Sequence, residues 1–284
     1  KTAALGGGDY YQADTAEKLK DDFNKILVAI NQRSSSFVSP SVSMNSSDQT
    51  QSGNSLYYTM FYPEKHTRWQ GNLKKLQVKD GEIIDMSNKP ALDAQDGIIS
   101  KDATTFWSKP GSNDGNNIEQ GGVNYQLSKQ TSRKLFSDFG EGALIDFKWN
   151  KAKNKVGAKR LRELFRAKNN TEAKQIMNWA SGKDVLNENS DSNIRKDIFG
   201  DPLHSKPVTM DYGNNDIRVF VGTNSGVLHA FKDNGNTVNE SWAFLPGQLL
   251  DIHKPLMNKQ DGTKLYGVDG PITVFHKDIN RDNI

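Results

Sequence analysis

The chain has 284 residues, of which 35% are hydrophobic, no cysteine, and a formal net charge of +3. Without cysteine, a disulfide, a thiolate nucleophile and a cysteine-ligated metal are excluded. The charge is too small to indicate nucleic-acid binding by itself, and no run of about 18 apolar residues is present that could form a membrane-spanning helix. The length allows one large all-β domain or two smaller units. The mean hydropathy of −0.73 indicates a loop-rich protein and not a compact α/β enzyme.

Residues 14–33 give the clearest helical pattern of the chain. Asp14 and Glu17 resemble a capping box, and the preceding GGGDYYQA indicates a strand end and a loop. We therefore expect the last unit of an α/β domain here. The chain starts at Lys1 without a methionine and stops at Ile284 within a polar loop, so we expect it to be a piece of a longer protein. The helix is predicted from apolar residues at spacings of three and four, namely Ala16, Leu19, Phe23, Ile26 and Ile30.

Residues 34–122 are predicted to hold strands separated by polar loops. Short strands flank Lys79-Asp80-Gly81, which suits a hairpin turn. The predicted elements in chain order are a linker marked by the serine run at 34–36 and Pro40, an exposed loop at 43–54, an aromatic strand (LYYTMFY) at 56–62, the hairpin of 72–78 and 82–85, and a Gly/Asn-rich loop at 108–122.

Two helices are predicted next. Segment 151–168 carries eight basic residues and one acidic residue, Glu163, and its apolar side predicts an amphipathic helix. A second helix begins near residue 171 and ends near residue 182. The basic run favours a solvated helix face. Contact with nucleic acid, anionic lipid or glycan is the alternative, and a steep fall of binding with added salt would indicate it.

The segment RVFVGTNSGVLHAFKDNGN at 218–236 concentrates strand-forming residues. Val219 and Val221 point to one face of a strand, and Gly222 and Gly226 bracket a tight turn. With a third strand at 240–245 these residues predict a three-stranded antiparallel meander, the element that propeller blades and sandwiches repeat. A single meander cannot bury both its faces, so it requires neighbours.

No catalytic signature is present. There is no HExxH motif, nucleophile elbow, Walker loop or dinucleotide fingerprint, so we expect a protein that is not an enzyme. The five histidines are scattered, and a structural or surface position is the favoured interpretation for each, with packing favoured for the one inside the meander. They are His66, His204, His229, His253 and His276.

The last residues, DINRDNI, hold the strongest metal-binding pattern. Asp278, Asn280 and Asp282 occupy the first, third and fifth positions of a calcium loop. Oxygen ligands at alternate positions let a tight loop converge on one cation, and Asn283 tolerates the turn that a glycine usually makes. The chain stops before the ninth and twelfth positions, so an ordinary Asp/Asn-rich turn is the alternative.

Several stretches together resemble the PilC/PilY family of type IV pilus tip adhesins. The resemblance is colinear over nearly the whole chain, apart from the loops at 43–54 and 108–122. It is carried by GDPLHSKPV (200–208), VFVGTNSGVLHAF (219–231), ESWAFLPGQLL (240–250), YGVDGPITVFHKDINRD (266–282), RWQGNLKKLQV (68–78), NWASGKDV (178–185) and the helix with its GGGDYYQA lead-in.

The resemblance implies a mainly β fold with inserted helices. Residues 1–33 would end a von Willebrand A-like α/β domain, and 34–284 would be the N-terminal part of a modified β-propeller with a helical insertion at about 155–182. No D-x-S-x-S metal-dependent adhesion motif is present, so any such site would lie upstream.

The function that the resemblance implies is that of a secreted adhesin and assembly factor at the pilus tip or on the outer membrane of a Gram-negative bacterium. It would oppose pilus retraction and support attachment and twitching motility, with calcium held by Asp278, Asn280 and Asp282 as a regulator. Its partners would be minor pilins of the tip complex and a host-cell or surface receptor, without nucleic acid. The alternative is a quinoprotein-type propeller dehydrogenase, because VFVGTNSGVLHAF also resembles strands of those enzymes, which repeat the signature that this chain shows once.

Overall fold

The computed structural model describes residues 15, 18, 37–42, 54–94, 97–130, 132–189 and 194–275. The chain divides into two compact units, Lys1–Ser35 and Ser36–Ile284, and almost all described residues belong to the second. The helix predicted at 14–33, apart from Thr15 and Lys18, and most of the loop predicted at 43–54 lie outside the described residues. The assignment of residues 1–33 to a von Willebrand A-like domain stays a prediction.

The first sheet has four antiparallel strands in the order β1-β2-β3-β4. They are β1 (Phe37–Val42), β2 (Ser55–Tyr62), β3 (Gln70–Lys79) and β4 (Glu82–Ile84). The predicted aromatic strand and hairpin are confirmed, and Asp80 and Gly81 take the positive φ angles, 51° and 84°, that a two-residue hairpin turn needs. The predicted linker is wrong from Phe37 onward, because this segment pairs with β2. Pro40 is tolerated since β1 is an edge strand.

The second sheet has six strands in the order β6-β5-β10-β9-β8-β7. They are β5 (Leu135–Ser137), β6 (Ile145–Asp146), β7 (Val208–Asp211), β8 (Ile217–Thr223), β9 (Val227–Asp233) and β10 (Val238–Phe244). The predicted meander is confirmed as β8–β10, with an irregularity of register between Glu240 and Trp242. Strand β10 also pairs in parallel with β5. A mainly β structure with inserted helices is thus confirmed, and the propeller stays a prediction.

The described part contains four named α-helices and one 3₁₀-helix, the last two of which follow β10. They are α1 (Gly122–Lys129), α2 (Trp149–Leu164), α3 (Asn170–Ala180), the 3₁₀-helix Gly247–Ile252 and α4 (His253–Met257). Helices α2 and α3 confirm the two helices predicted at 151–168 and 171–182, and their being an insertion in a propeller at about 155–182 stays a prediction. Gly157, with φ 80° and ψ 154°, interrupts α2, and the side chain of Asn169 caps α3 by accepting a hydrogen bond from the Glu172 backbone N–H. None of the helices in the described ranges is long and apolar enough to cross a membrane.

The core lies on both sides of the first sheet and on one face of the second. Tyr57 and Leu73 of the first sheet pack with Val219, Val221 and Phe231 of the second. The other face of the first sheet is covered by the loops between β4 and α1. The face of the second sheet that packs on the first sheet also packs, further along, against helices α2, α3 and α4. The opposite face of β8–β10 is only half-buried and carries the Phe220–Trp242 ring pair.

Charged side chains join the two sheets at the end of β9. The Tyr57 hydroxyl donates to Asp233 over 2.6 Å, and the Lys75 ammonium lies 2.6 Å from the same carboxylate oxygen. Burial raises the pKa of Tyr57 and is the largest cause, and the charge of Asp233 raises it further. Since all three groups are buried, loss of one partner would leave an uncompensated group in the core, which typically costs about 3–5 kcal/mol for an ion pair.

A second buried lysine fixes the loop that covers the first sheet. Lys74 is fully buried, and its ammonium donates to the Asp114 carboxylate over 3.0 Å and to the Gly115 carbonyl oxygen over 2.7 Å. Burial lowers the pKa of Lys74 to about 8, against the opposing effect of the Asp114 charge. The Gly/Asn-rich loop predicted at 108–122 is confirmed as a loop up to Gly121, and a buried ion pair holds it in place.

His253 is the first residue of α4 and lies buried in the core, 6.4 Å from the Trp179 ring centroid. Neither ring nitrogen has a hydrogen-bond partner among the described residues. Burial, helped by the charge of Arg195, lowers the pKa of His253 to about 3. The ring is therefore neutral at physiological pH, and its role is packing, as predicted for the histidines.

The buried neutral histidine predicts an acid-sensitive fold. The unfolded chain binds a proton on His253 below an ordinary pKa of 6.5, whereas the folded chain does not until about 3. Stability is therefore complete above about pH 6.5 and is lost progressively as the pH falls, by on the order of 2 kcal/mol at pH 5. We expect His253→Leu to remove this part of the pH dependence in urea unfolding at pH 7 and pH 5.

The matched control is Leu256→Ala, a buried position in the same helix. It should lower the free energy of unfolding equally at both pH values, because no proton is involved. Equal pH dependence in the wild type and in His253→Leu would contradict the prediction.

Candidate binding cleft

A cleft of about 800 Å³ lies where four segments of the second unit meet. One wall is the end of α1 with the residues that lead into β5. The first turn of α2 and the end of α3 form the others. The lining residues are Leu127, Gln130, Ser132, Arg133, Leu135, Phe147, Lys148, Trp149, Asn150, Lys151, Lys174, Met177, Asn178, Ser181, Gly182, Lys183 and Ile194. The volume falls within the range usual for ligand sites.

The cleft combines an apolar floor with positive charge. Leu127, Leu135, Phe147 and Met177 are buried beneath it, and Trp149 is half-buried. No aspartate or glutamate lines it within the described ranges. Five cationic side chains do, and they are Arg133, Lys148, Lys151, Lys174 and Lys183.

Arg133 fixes the shape of the cleft. Its Nε and Nη2 donate to the two oxygens of Glu240 over 2.5 and 2.7 Å. Its Nη1 donates to the carbonyl oxygen of Ser181, just after α3, over 2.9 Å. One guanidinium therefore connects strand β10 with the end of α3. A planar donor group suits this bidentate arrangement, which a lysine could not reproduce.

Glu240 is a buried, ionised carboxylate. Burial alone would raise its pKa, but the charge and hydrogen bonds of Arg133, together with His229, lower the pKa to about 2. A carboxylate can only accept hydrogen bonds, so His229 must donate through Nδ1, which lies 2.7 Å from Glu240. Burial also lowers the pKa of His229. The packing role predicted for His229 is confirmed, and its ring is neutral.

The lysines of the cleft differ in their surroundings. Lys174 lies over the Trp149 ring, 5.4 Å from its centroid, and Lys183 donates to the side-chain oxygen of Asn178 over 3.1 Å. No ion pair joins Lys148 or Lys151 to an acidic residue that the structure describes. The first turn of α2 contains no acidic residue and no side-chain cap, so its positive end adds to the potential of the lysines.

The rest of the basic segment predicted at 151–168 lies outside the cleft. Lys153, Lys155 and Lys159 are exposed, as predicted for a solvated helix face, and Leu161 and Phe165 are buried on the opposite side. Only Lys151 of this segment reaches the cleft.

A smaller cavity of about 190 Å³ holds a balanced charge cluster. Arg68 lies 2.7 Å from Glu188 and 3.1 Å from Asp197. Arg195 lies 2.9 Å from Asp197, and its guanidinium carbon is 3.9 Å from the Trp179 ring centroid. Because both arginines have carboxylate partners, this cluster is explained by packing of the chain itself.

The β8–β9 turn is bound by one segment that precedes it in the chain and by another that follows it. Asn224 donates to the Asp201 carboxylate over 2.7 Å and accepts from the Gly267 backbone N–H over 2.9 Å. A Cβ added at Gly222 would lie 2.1 Å from the carbonyl oxygen of Val268, so only glycine fits there. The stretches 200–208, 219–231 and 266–282, which carry the family resemblance, thus meet at one turn, and their described residues serve packing.

The predicted calcium ligands Asp278, Asn280 and Asp282 lie outside the described residues. Within the described ranges, no group of three or more His, Asp or Glu side chains could hold a metal ion. The other described histidines have structural surroundings. His204, for example, faces Asp269 across 2.8 Å.

The cleft itself was not predicted from the sequence, and the only local signal for it was the basic start of α2.

Fold and site together define a mainly β protein with a basic, apolar-floored cleft. The chain is similar to the type IV pilus biogenesis factor PilY1 of Pseudomonas aeruginosa. Identity is 25% over 299 residues for strains PAO1 and PAK, and 24% over 297 residues for strain UCBPP-PA14. The alignments cover 92–93% of this chain. The chain is therefore similar to PilY1 over most of its length, and the resemblance predicted from its motifs is confirmed.

The chain spans 22–23% of the length of these curated relatives. No protein-family model matches it, and no solved structure matches it significantly.

Proposed function

We propose that the chain is part of a type IV pilus biogenesis factor. The observation that carries the proposal is the colinear similarity to PilY1 over 93% of the chain. The structure supports it because three of the motif stretches, distant in sequence, pack against one another at the β8–β9 turn. In this chain, these stretches therefore belong to one folded unit.

The more specific proposal is a tip-associated adhesin that opposes retraction and supports attachment and twitching motility. It acts at the pilus tip or the outer membrane through minor pilins and a surface receptor. Two features favour a binding protein that makes and breaks no bond. The buried Glu240 carboxylate is bound by both His229 and Arg133. The half-buried outer face of β8–β10, with Phe220 and Trp242, suits packing against a further sheet of a propeller.

The quinoprotein dehydrogenase is not favoured. Its only support was the likeness of VFVGTNSGVLHAF to strands of those enzymes. That hairpin is bound to its own chain, through Asn224 to Asp201 and through Gly222, whose backbone N–H donates to the Ser205 hydroxyl over 3.0 Å.

We expect deletion of the gene to lower the number of surface pili and to abolish adhesion when the retraction motor is present. Because the protein is proposed to oppose retraction, removal of the motor should restore at least part of the piliation. Pili are counted by electron microscopy in all four backgrounds, and the reintroduced wild-type gene is the control. Unchanged piliation and adhesion in both deletion strains would refute the proposal.

Calcium regulation is the second part of the proposal and depends on Asp278, Asn280 and Asp282. These residues would supply the first oxygen ligands of a loop whose closing carboxylate follows in the full-length protein. We expect calcium to raise the melting temperature of the full-length protein and Asp282→Ala to remove that rise. Asp102→Ala, at an exposed loop position, should keep it. An undiminished rise in Asp282→Ala would place the ion elsewhere.

A further inference from the structure

We propose that the basic cleft is the docking site for an acidic segment of a partner protein, an extended peptide that carries carboxylates on either side of a bulky apolar side chain. The inference depends on the cleft alone. It requires neither the calcium loop nor a role in retraction, so it can fail without affecting the function proposed above.

The charge of the cleft is not compensated within the described part of the chain. Glu240 neutralises Arg133, but four lysines remain, namely Lys148, Lys151, Lys174 and Lys183. The contacts of Lys174 and Lys183 are to an aromatic ring and a neutral amide, which leave their charges in place. Like charges around one concavity repel each other and focus a positive potential in it. A ligand with several negative charges would relieve this repulsion.

The apolar floor of the cleft requires that the ligand also carry an apolar group. Leu135, Phe147 and Met177 lie beneath the lysines. A purely ionic ligand would make no use of this surface, whereas a Phe or Leu side chain placed there would remove apolar area from water. The amide side chain of Asn150, exposed at the rim, can pair with a peptide backbone.

These features favour a peptide over other polyanions. Single-stranded nucleic acid requires open aromatic faces for its bases, and the ring of Trp149 is covered by Lys174 at 5.4 Å. An anionic bilayer requires cations that project from the protein, whereas these lysines line a concave cleft. An acidic peptide with an apolar anchor matches both the charge and the floor.

The test uses the full chain and the peptide fluorescein-Asp-Glu-Phe-Leu-Glu-Asp-amide, with binding followed by fluorescence anisotropy. We expect saturable binding that weakens with added salt. The peptide with Asn and Gln in place of its acids should bind about tenfold more weakly or worse. Lys148→Glu combined with Lys151→Glu should weaken binding of the acidic peptide by a similar factor.

The matched control is Lys153→Glu combined with Lys155→Glu, which reverses the same number of charges on the same helix but outside the cleft. It should change the affinity by about twofold or less, because neither side chain lines the cleft and both are exposed, so that salt screens their charges. Circular dichroism checks the fold of each variant. If the first pair unfolds the protein, Lys151→Gln with Lys174→Gln replaces it and should also weaken binding.

Three results would overturn the inference. The first is no binding of the acidic peptide at millimolar concentration. The second is an equal loss of affinity in the cleft and control variants. The third is tighter binding of an oligothymidine or of phosphatidylglycerol vesicles than of the peptide, lost in the cleft variants, which would assign the cleft to nucleic acid or lipid.

Discussion

The structure of the cleft depends on the ion pair between Arg133 and Glu240. A carboxylate as deeply buried as Glu240 is stable only with a paired cation and further hydrogen bonds, and Arg133 and His229 provide both. The Nη1 of Arg133 donates to the Ser181 carbonyl oxygen, so the end of α3 is fixed relative to strand β10. This connection holds together the elements that carry the lysines and the apolar floor of the cleft.

The stretches that resemble the pilus family serve mainly to hold the fold. Segment 200–208 supplies Asp201 to the β8–β9 turn, and segment 68–78 supplies the buried Lys74 and Lys75. A Cβ at Gly71 would lie 1.9 Å from the carbonyl oxygen of Gly200, so these two segments also approach each other closely. In this chain, the stretches that carry the similarity to PilY1 thus include residues that hold the two sheets together.

Elements with a local pattern could be predicted from the sequence, and those without one could not. The meander β8–β10 and helices α2 and α3 have the apolar periodicity and turn residues that define them. Strand β1 was missed because serines and Pro40 obscure an edge strand whose partner decides its conformation. Helix α1 was missed because it is short and opens with Gly121 and Gly122, both at positive φ. The cleft could not be predicted, since Arg133 reaches residues 48 and 107 positions away.

A double-mutant cycle of Arg133→Met and Glu240→Met, followed by urea unfolding, tests this dependence most directly. If the pair fixes α3 on the sheet, each single change leaves a buried unpaired group and costs about 3–5 kcal/mol, and the double change costs less than their sum. The exposed pair Arg160–Glu163, 3.8 Å apart, is the control and should show a coupling of about 1 kcal/mol or less. Small and additive losses at Arg133 and Glu240 would contradict the account.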